Sequence, residues 1–299
     1  MPLVMVDRFG RGVTGVRIAL THRCNLRCIY CHHEGEMSTG REMPPEMVIG
    51  VARAAADLGV RSVKLTGGEP LLREDLAYIL SRIPDEMEVS LTTNGVYLAE
   101  KASDLASAGL DRVNVSLDTL RADRYQAITG GREGDMERVL EGIDAANDAG
   151  LRPVKLNMVV LRRNEDEVWD LTELSRERGL ILQLIELLDL RGLGISGDIG
   201  SIERELARRA EWVRTREMHR RRKYFFDGAE VEVVRPMDNT EFCAHCTRLR
   251  VTSDGRIKPC LLRNDNLIEI GTCDPVRIRQ LLLEANELRE PYFRASQNL

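Results

Sequence analysis

From residue 16 to about residue 188 one rhythm repeats: a β-prone run ends in small or polar residues, and a helix-prone segment follows. The runs are VRIALT (16–21), SVKLTGG (62–68), EVSLTTNG (88–95), RVNVSLD (112–118), VKLNMVV (154–160) and LILQLIEL (180–187). Between the first two, PPEMVIGVARAAADLG sets Met47, Val51, Ala54 and Leu58 at helical spacing, opening on Pro44 and Pro45 and closing on Gly59. A strand–helix unit repeated in this way demands a parallel sheet with right-handed crossovers.

Side chains alternate faces along a strand, and the parity of these runs narrows the fold. Val16, Ile18 and Leu20 oppose Arg17, Ala19 and Thr21; Val63 and Leu65 oppose Lys64 and Thr66; Val89 and Leu91 oppose Ser90, Thr92 and Asn94. Val113, Val115 and Leu117 oppose Asn114, Ser116 and Asp118, and Val154, Leu156 and Met158 oppose Lys155 and Asn157. A doubly wound sheet, covered on both faces, reads apolar throughout. One apolar and one polar face per strand instead predicts an α/β fold with helices outside only. Six units make an incomplete (βα)6 partial barrel around a polar cavity.

Beyond residue 188 the rhythm stops. RGLGISGDIG reads as loop, SIERELARRAEWV as a helix capped by Ser201, and AEVEVVRPM and RLRVTSDGRIKPC as short strands. We expect residues 1–200 to form the partial barrel and 201–299 a smaller C-terminal domain. The net charge of −5 advertises no nucleic acid, and the basic run His219–Lys223 reads as a solvated stretch. No segment is apolar enough to span a bilayer, and MPLVMVDRFGRG lacks a secretory apolar core, so a cytoplasmic protein away from membranes is expected.

Seven cysteines, an odd number in a chain of 299 residues, argue against a disulfide framework and for metal or redox chemistry. Cys24, Cys28 and Cys31 form C-x3-C-x2-C at the C-terminal end of the first strand, where α/β folds bind ligands. C-x-x-C-H within it matches a haem-attachment string but leaves Cys24 unexplained. Zinc would take the three thiols with His32 or His33, and plain buried cysteines are the bland alternative. A four-iron cluster would take three thiolates and leave one iron open. GGEP (67–70) closes the second strand: its glycines permit close approach of a ligand, and Glu69 offers a carboxylate to an ammonium group. Cys243, Cys246 and Cys260 form a second set, C-x2-C-x13-C, with Arg248 and Arg250 just after its second cysteine on one strand face. On spacing alone, this set suits a zinc site with Cys273 equally well.

C-x3-C-x2-C after strand one with GGEP after strand two resembles the radical S-adenosylmethionine (SAM) superfamily. LTHRCNLRCIYC, LTGGEPLLR, LTTNG, VNVSLDTL, YQAITG, VKLNMVV and FCAHCTRLR, in this order, resemble the GTP 3′,8-cyclase family of molybdenum cofactor biosynthesis within it. The resemblance implies a radical SAM partial barrel with a C-terminal auxiliary cluster domain, two [4Fe–4S] clusters and SAM. Cys24, Cys28 and Cys31 would hold the first cluster. SAM would chelate its open iron and be cleaved by one electron to a 5′-deoxyadenosyl radical. Cys243, Cys246 and Cys260 would hold the second cluster, whose open iron meets the guanine.

By the same resemblance Tyr30, Gly68, Ser116 and Leu188 contact SAM. Arg17, Lys64, Thr92, Lys155, Arg248, Leu249 and Arg250 contact GTP, with Arg248 and Arg250 also in catalytic roles. Implied partners are a reductant protein as electron donor and a downstream cyclic pyranopterin monophosphate synthase, the enzyme acting as monomer or homodimer. The chain departs from the family at Lys64 (usually Arg), at Leu188 (usually Met) and at its end, Ser296–Leu299, where the family carries Gly-Gly. Cys273 has no counterpart and is expected to be a buried thiol. The rival readings are a two-cluster radical SAM enzyme acting on a peptide or another nucleotide, and a zinc-binding regulator.

Overall fold

The structure is a computed structural model that describes residues 5–36, 39–189, 191–237 and 239–291. Six strands, β1 (Gly15–Ala19), β2 (Ser62–Thr66), β3 (Glu88–Thr93), β4 (Arg112–Ser116), β5 (Lys155–Val160) and β6 (Ile181–Glu186), lie parallel in sequence order. Six more follow: β7 (Trp212–Thr215), β8 (Arg222–Phe226), β9 (Ala229–Val234), β10 (Arg248–Val251), β11 (Arg256–Lys258) and β12 (Ile268–Glu269). All belong to one 12-stranded sheet, ordered β12-β11-β10-β1-β2-β3-β4-β5-β6-β9-β8-β7.

Each expected strand falls on an observed one, and the expected parallel α/β architecture is present. The C-terminal part does more than sit beside the barrel. β10 adds parallel to β1 at one edge and β9 adds parallel to β6 at the other, so distant sequence extends the parallel sheet on both sides.

The parity rule holds in three dimensions. Val63, Leu65, Leu91, Val113, Val115, Leu156, Met158, Leu182 and Leu184 lie fully buried on the outer, helix-covered face. The helix Pro45–Asp57 packs its Val48, Val51 and Ala54 into that core. Its Gly50 faces the C-terminal helix Pro275–Glu287. A Cβ there would stand 2.9 Å from the Ile278 side chain and 3.0 Å from the Cys273 carbonyl oxygen. Glycine is the residue that lets these two helices meet.

Two local expectations change. The helix expected from Ser201 runs over Ile199–Arg209; Asp198 caps it by accepting the Ser201 N–H at 2.9 Å, so Ser201 stands inside the first turn. Aspartate caps a helix as well as serine does. The Asp198 N–H donates to Glu165 at 2.8 Å, and this tertiary contact fixes Asp198 as the residue where the helix starts. Trp212 and Val213 leave the helix to form β7, where Trp212 stacks on Phe225 of β8 with ring centroids 3.5 Å apart.

Candidate active site

The inner face carries the polar half of each strand. Register aligns Arg17 with Lys64, Lys64 with Ser90, and Thr92 with Asn114. It further aligns Asn114 with Lys155, Ser116 with Asn157, and Arg17 with Arg250. Arg248 shares the face of Arg250, two residues on. Leu249 does not: it pairs with Val16 on the helix-covered side and is fully buried, so only its backbone can serve a ligand.

These cations stand close to one another on the inner face. Burial and the nearby Arg248, Arg17, Arg112 and Lys155 hold the Lys64 ammonium well below its ordinary pKa. Burial, then Arg221, Arg17 and Arg250, do the same to Arg248. Among the described residues neither Lys64 nor Arg248 has a carboxylate partner. Lys155 does: its Nζ donates to Glu232 of β9 at 2.7 Å, and burial sets its pKa at about 8 despite that partner. Glu232 also meets Arg221 at 3.0 Å and Arg216 at 3.2 Å.

The reading of His219–Lys223 as solvated holds for the exposed Arg220 and Arg222 and is corrected at His219 and Arg221. Arg221 is buried on Glu232, and His219 is buried against Phe242, with ring centroids 3.8 Å apart. The cause is the inward carboxylate of Glu232, which needs cations. The alternation of AEVEVV, with Glu230 and Glu232 opposite Val231 and Val233, carried that signal.

The loop after β1 carries Cys24, Cys28 and Cys31 beside the GGEP turn. Leu26 N–H points at Cys24 Sγ (3.4 Å), and His33 N–H at Cys31 Sγ (3.4 Å). Burial, then Asp118 and the neighbouring thiols, pushes Cys28 up, and burial pushes Cys24 up. The turn glycines let the cysteine loop pack closely on this turn: a Cβ on Gly68 would lie 2.3 Å from the Arg23 carbonyl and 2.6 Å from that of His22. Glu69 is no ammonium receptor here. It is fully buried, and its carboxylate accepts from Leu71 N–H (2.9 Å), Thr93 Oγ1 (2.7 Å) and Asn94 N–H (2.7 Å), tying GGEP to TTNG. A narrow crevice of about 10 Å³ lies beside it, lined by Thr21, His22, Glu34, Glu36, Gly67 and Gly68 among others.

Tyr30 points from the cysteine loop to the end of β4, donating to Asp118 Oδ2 at 2.5 Å. Burial pushes Tyr30 well above the ordinary phenol value and Asp118 up to about 6. The ring packs with Ile128, Leu161 and Leu187. Ser116 and Leu188 follow on the ends of β4 and β6, so the residues carried over for SAM sit at the C-terminal ends of the strands.

The second thiol set is braced by both chain ends. Arg11 donates to the Cys243 carbonyl at 3.0 Å, and Arg289 donates to the Cys246 carbonyl; both guanidiniums meet Asp7. Burial would raise Cys246, but Arg289, the Arg248 N–H, Arg250 and Arg11 hold it below the ordinary thiol value. Cys246 and Cys260 both act on Arg250, which places the second set beside the inner arginines. Cys273, expected to be buried, is exposed ahead of the C-terminal helix. Ser296–Leu299 lie outside the described residues.

The donor set fits iron–sulfur chemistry. Thiolates are its preferred ligands, and Cys246 sits where a thiolate is favoured. No three His, Cys, Asp or Glu side chains among the described residues converge as one metal ion requires, whereas thiolates on separate irons of a cube need not converge.

Known proteins resemble this chain. Residues 18–175 match the Radical SAM superfamily and residues 182–294 match Molybdenum Cofactor Synthesis C. A relative named "Probable GTP 3′,8-cyclase" from Methanosarcina acetivorans is 51% identical, over 97% of this chain and 90% of its own. One of the same name from Archaeoglobus fulgidus is 49% identical, over 97% of this chain and 100% of its own. Among solved structures, Streptococcus suis SuiB superposes with a TM-score of 0.70 at 16% identity, over 98% of this chain and 70% of its own. Native anSMEcpe with bound AdoMet gives 0.58 at 15% identity, over 94% of this chain and 82% of its own. The structural matches speak for the fold. The sequence matches, spanning the thiol loop and the arginine strand alike, go further: the chain belongs to the radical SAM superfamily and, within it, to the GTP 3′,8-cyclase family.

Proposed function

We propose that this chain converts GTP to (8S)-3′,8-cyclo-7,8-dihydroguanosine 5′-triphosphate, the first step of molybdenum cofactor biosynthesis. One observation carries the substrate assignment: Lys64 and Arg248 lie inside the sheet among other cations, without a carboxylate partner among the described residues. Unpaired interior cations of one sign are costly unless a ligand neutralises them, and a nucleoside triphosphate does so. Arg17, Lys64, Thr92, Lys155, Arg248 and Arg250 would hold the phosphates and sugar. The Leu249 backbone would lie beside the base.

Membership of the superfamily brings a [4Fe–4S] cluster and SAM, which Cys24, Cys28 and Cys31, with Gly68, Tyr30, Ser116 and Leu188, would hold. When bound, they supply a one-electron route to a radical that removes the ribose 3′ hydrogen. We assign a second [4Fe–4S] cluster to Cys243, Cys246 and Cys260. What the chain itself does is hold the triphosphate on its inner cations, fix the ribose between the two thiol sets and exclude water.

We divide the chain at residue 200 into a barrel domain and an auxiliary-cluster domain, where the strand–helix rhythm ends. The protein is read as cytoplasmic, as monomer or homodimer, served by a reductant protein and followed by a cyclic pyranopterin monophosphate synthase. No described helix is long and apolar enough to cross a membrane.

Anaerobic equilibrium binding tests the assignment. Arg248→Ala should weaken GTP at least tenfold, with the circular dichroism spectrum unchanged. Equal affinity in the two proteins would remove the inner cations from the substrate site.

A further inference from the structure

Three consecutive residues just after Cys31 hold three points of the C-terminal strands. Glu36 accepts the Ser253 N–H at 3.1 Å and its hydroxyl at 3.0 Å. The Gly35 carbonyl accepts from the buried Lys258 ammonium at 2.6 Å. Glu34 reaches further in. Its carboxylate accepts from Arg17, lies 3.2 Å from the Thr66 hydroxyl and stands 3.6 Å from Arg250.

The backbone needed for this is unusual. His33, Glu34 and Gly35 have φ of 49°, 55° and 68°, the left-handed region that residues with a Cβ avoid. A short segment holds such a conformation only when its contacts outweigh the strain. The contact that Glu34 adds is with Arg17 and Arg250 of the inner face.

Burial opposes charge on Glu34, yet Arg17 and Arg250 hold its carboxyl at about 2. A carboxylate therefore stands where a ligand phosphate would meet those two guanidiniums. Arg17 Nε and Arg250 Nη1 still lack a hydrogen-bond acceptor, so Glu34 fills the pair incompletely.

We propose that Glu34 is a resident counter-ion that the ligand's phosphates displace from Arg17 and Arg250, and that it thereby sets the charge the site demands of its ligand. The proposal rests on the reading that the inner face binds a nucleoside triphosphate. An anion of low charge merely exchanges with Glu34 and gains little. A triphosphate also reaches Lys64 and Arg248, which no protein carboxylate among the described residues neutralises, and so wins the exchange. Two anions cannot share the arginine pair, because like charges at contact distance repel strongly away from bulk water.

The test uses the reconstituted, cluster-loaded protein under anaerobic conditions. Inorganic tripolyphosphate, inorganic phosphate and GTP are titrated calorimetrically into wild type and Glu34→Gln, which keeps the shape and removes the charge. The expected result is at least tenfold tighter tripolyphosphate binding by the variant. Orthophosphate should bind measurably only to the variant. In wild type, tripolyphosphate should also release the Gly35 and Glu36 amides, now bonded to the His32 and His33 carbonyls at 2.8 and 3.0 Å, to faster hydrogen exchange. That measurement needs no variant.

Wild type that binds GTP, with Glu34→Gln no tighter and the amides undisturbed, overturns this inference and leaves the substrate reading standing. Binding by the variant alone overturns both, because no phosphate then displaces Glu34 from the native site. Binding by neither overturns both.

Discussion

The Lys155 ammonium of β5 donates to the Glu232 carboxylate of β9 at 2.7 Å, and neither side chain is more than marginally exposed. One buried ion pair thus joins the repeated βα part of the chain to its C-terminal part, across strands separated by β6. Arg216 and Arg221 close around the same carboxylate, which they and Lys155 hold well below the usual carboxylate range against its burial.

Removing one partner of a buried pair leaves the other uncompensated, at a cost of about 3–5 kcal/mol. Glu232→Ala leaves three cations in that position. We expect a loss of stability of that order in denaturant unfolding, larger than for Arg112→Ala, whose partner Glu88 is half exposed. Equal losses would mean that Glu232 is solvated in solution.

Gly50 offers a test of how the C-terminal helix seats. Alanine favours a helix over glycine by about 1 kcal/mol. Its Cβ would meet Ile278 and the Cys273 carbonyl at 3.0 Å or less, and overpacking of this kind costs about 1–3 kcal/mol. Backbone carbonyls yield less readily than side chains, so the second effect wins, and Gly50→Ala should lower the melting temperature. A rise would show that the helix Pro275–Glu287 packs further out.

The second thiol set predicts an iron count. Cys260→Ser should lower iron and acid-labile sulfide by about half while leaving a SAM-responsive electron paramagnetic signal from the first cluster. Cys273→Ser, at an exposed position, should leave iron unchanged. Iron lost equally from both variants would bring Cys273 into the ligand set.

Glu36 predicts a pH dependence. Burial pushes its carboxyl up to about 7 from an ordinary 4.5, against two hydrogen bonds from Ser253 that favour the charged form. The folded state then holds the proton more tightly than the unfolded one. Its stabilising contribution is complete below about pH 4.5 and is lost as pH rises through about 7. Between pH 5 and 8 the wild type should lose about 1–2 kcal/mol more than Glu36→Gln, the figure allowing for its residual solvent contact. Parallel pH profiles would contradict the assignment.

What was legible in the sequence follows from how local each rule is. Alternation along a strand depends only on neighbours, so Arg17, Lys64, Thr92, Ser116 and Lys155 were assigned to the inner face from their own runs. The same rule turns Leu249 away, because it stands between Arg248 and Arg250. Glu232 obeyed that rule as well, within AEVEVV. Glu34 was beyond reach: it sits on an irregular left-handed segment whose conformation is set by Arg17, Arg250, Ser253 and Lys258, all distant in sequence. Glu69 misled for a related reason. A carboxylate after a strand looks available until Thr93 and Asn94 of the next unit close over it. The placement of β9 and β10 at opposite edges of the parallel sheet is likewise a property of the whole chain and of no single segment.

The central claim is the reaction, and its products test it most directly. The protein is reconstituted anaerobically with iron and sulfide, then incubated with reductant, SAM and GTP, and the products are resolved by mass spectrometry. The account predicts 5′-deoxyadenosine together with 3′,8-cyclised GTP in matching amounts. Two clusters and cleaved SAM with GTP untouched would contradict it.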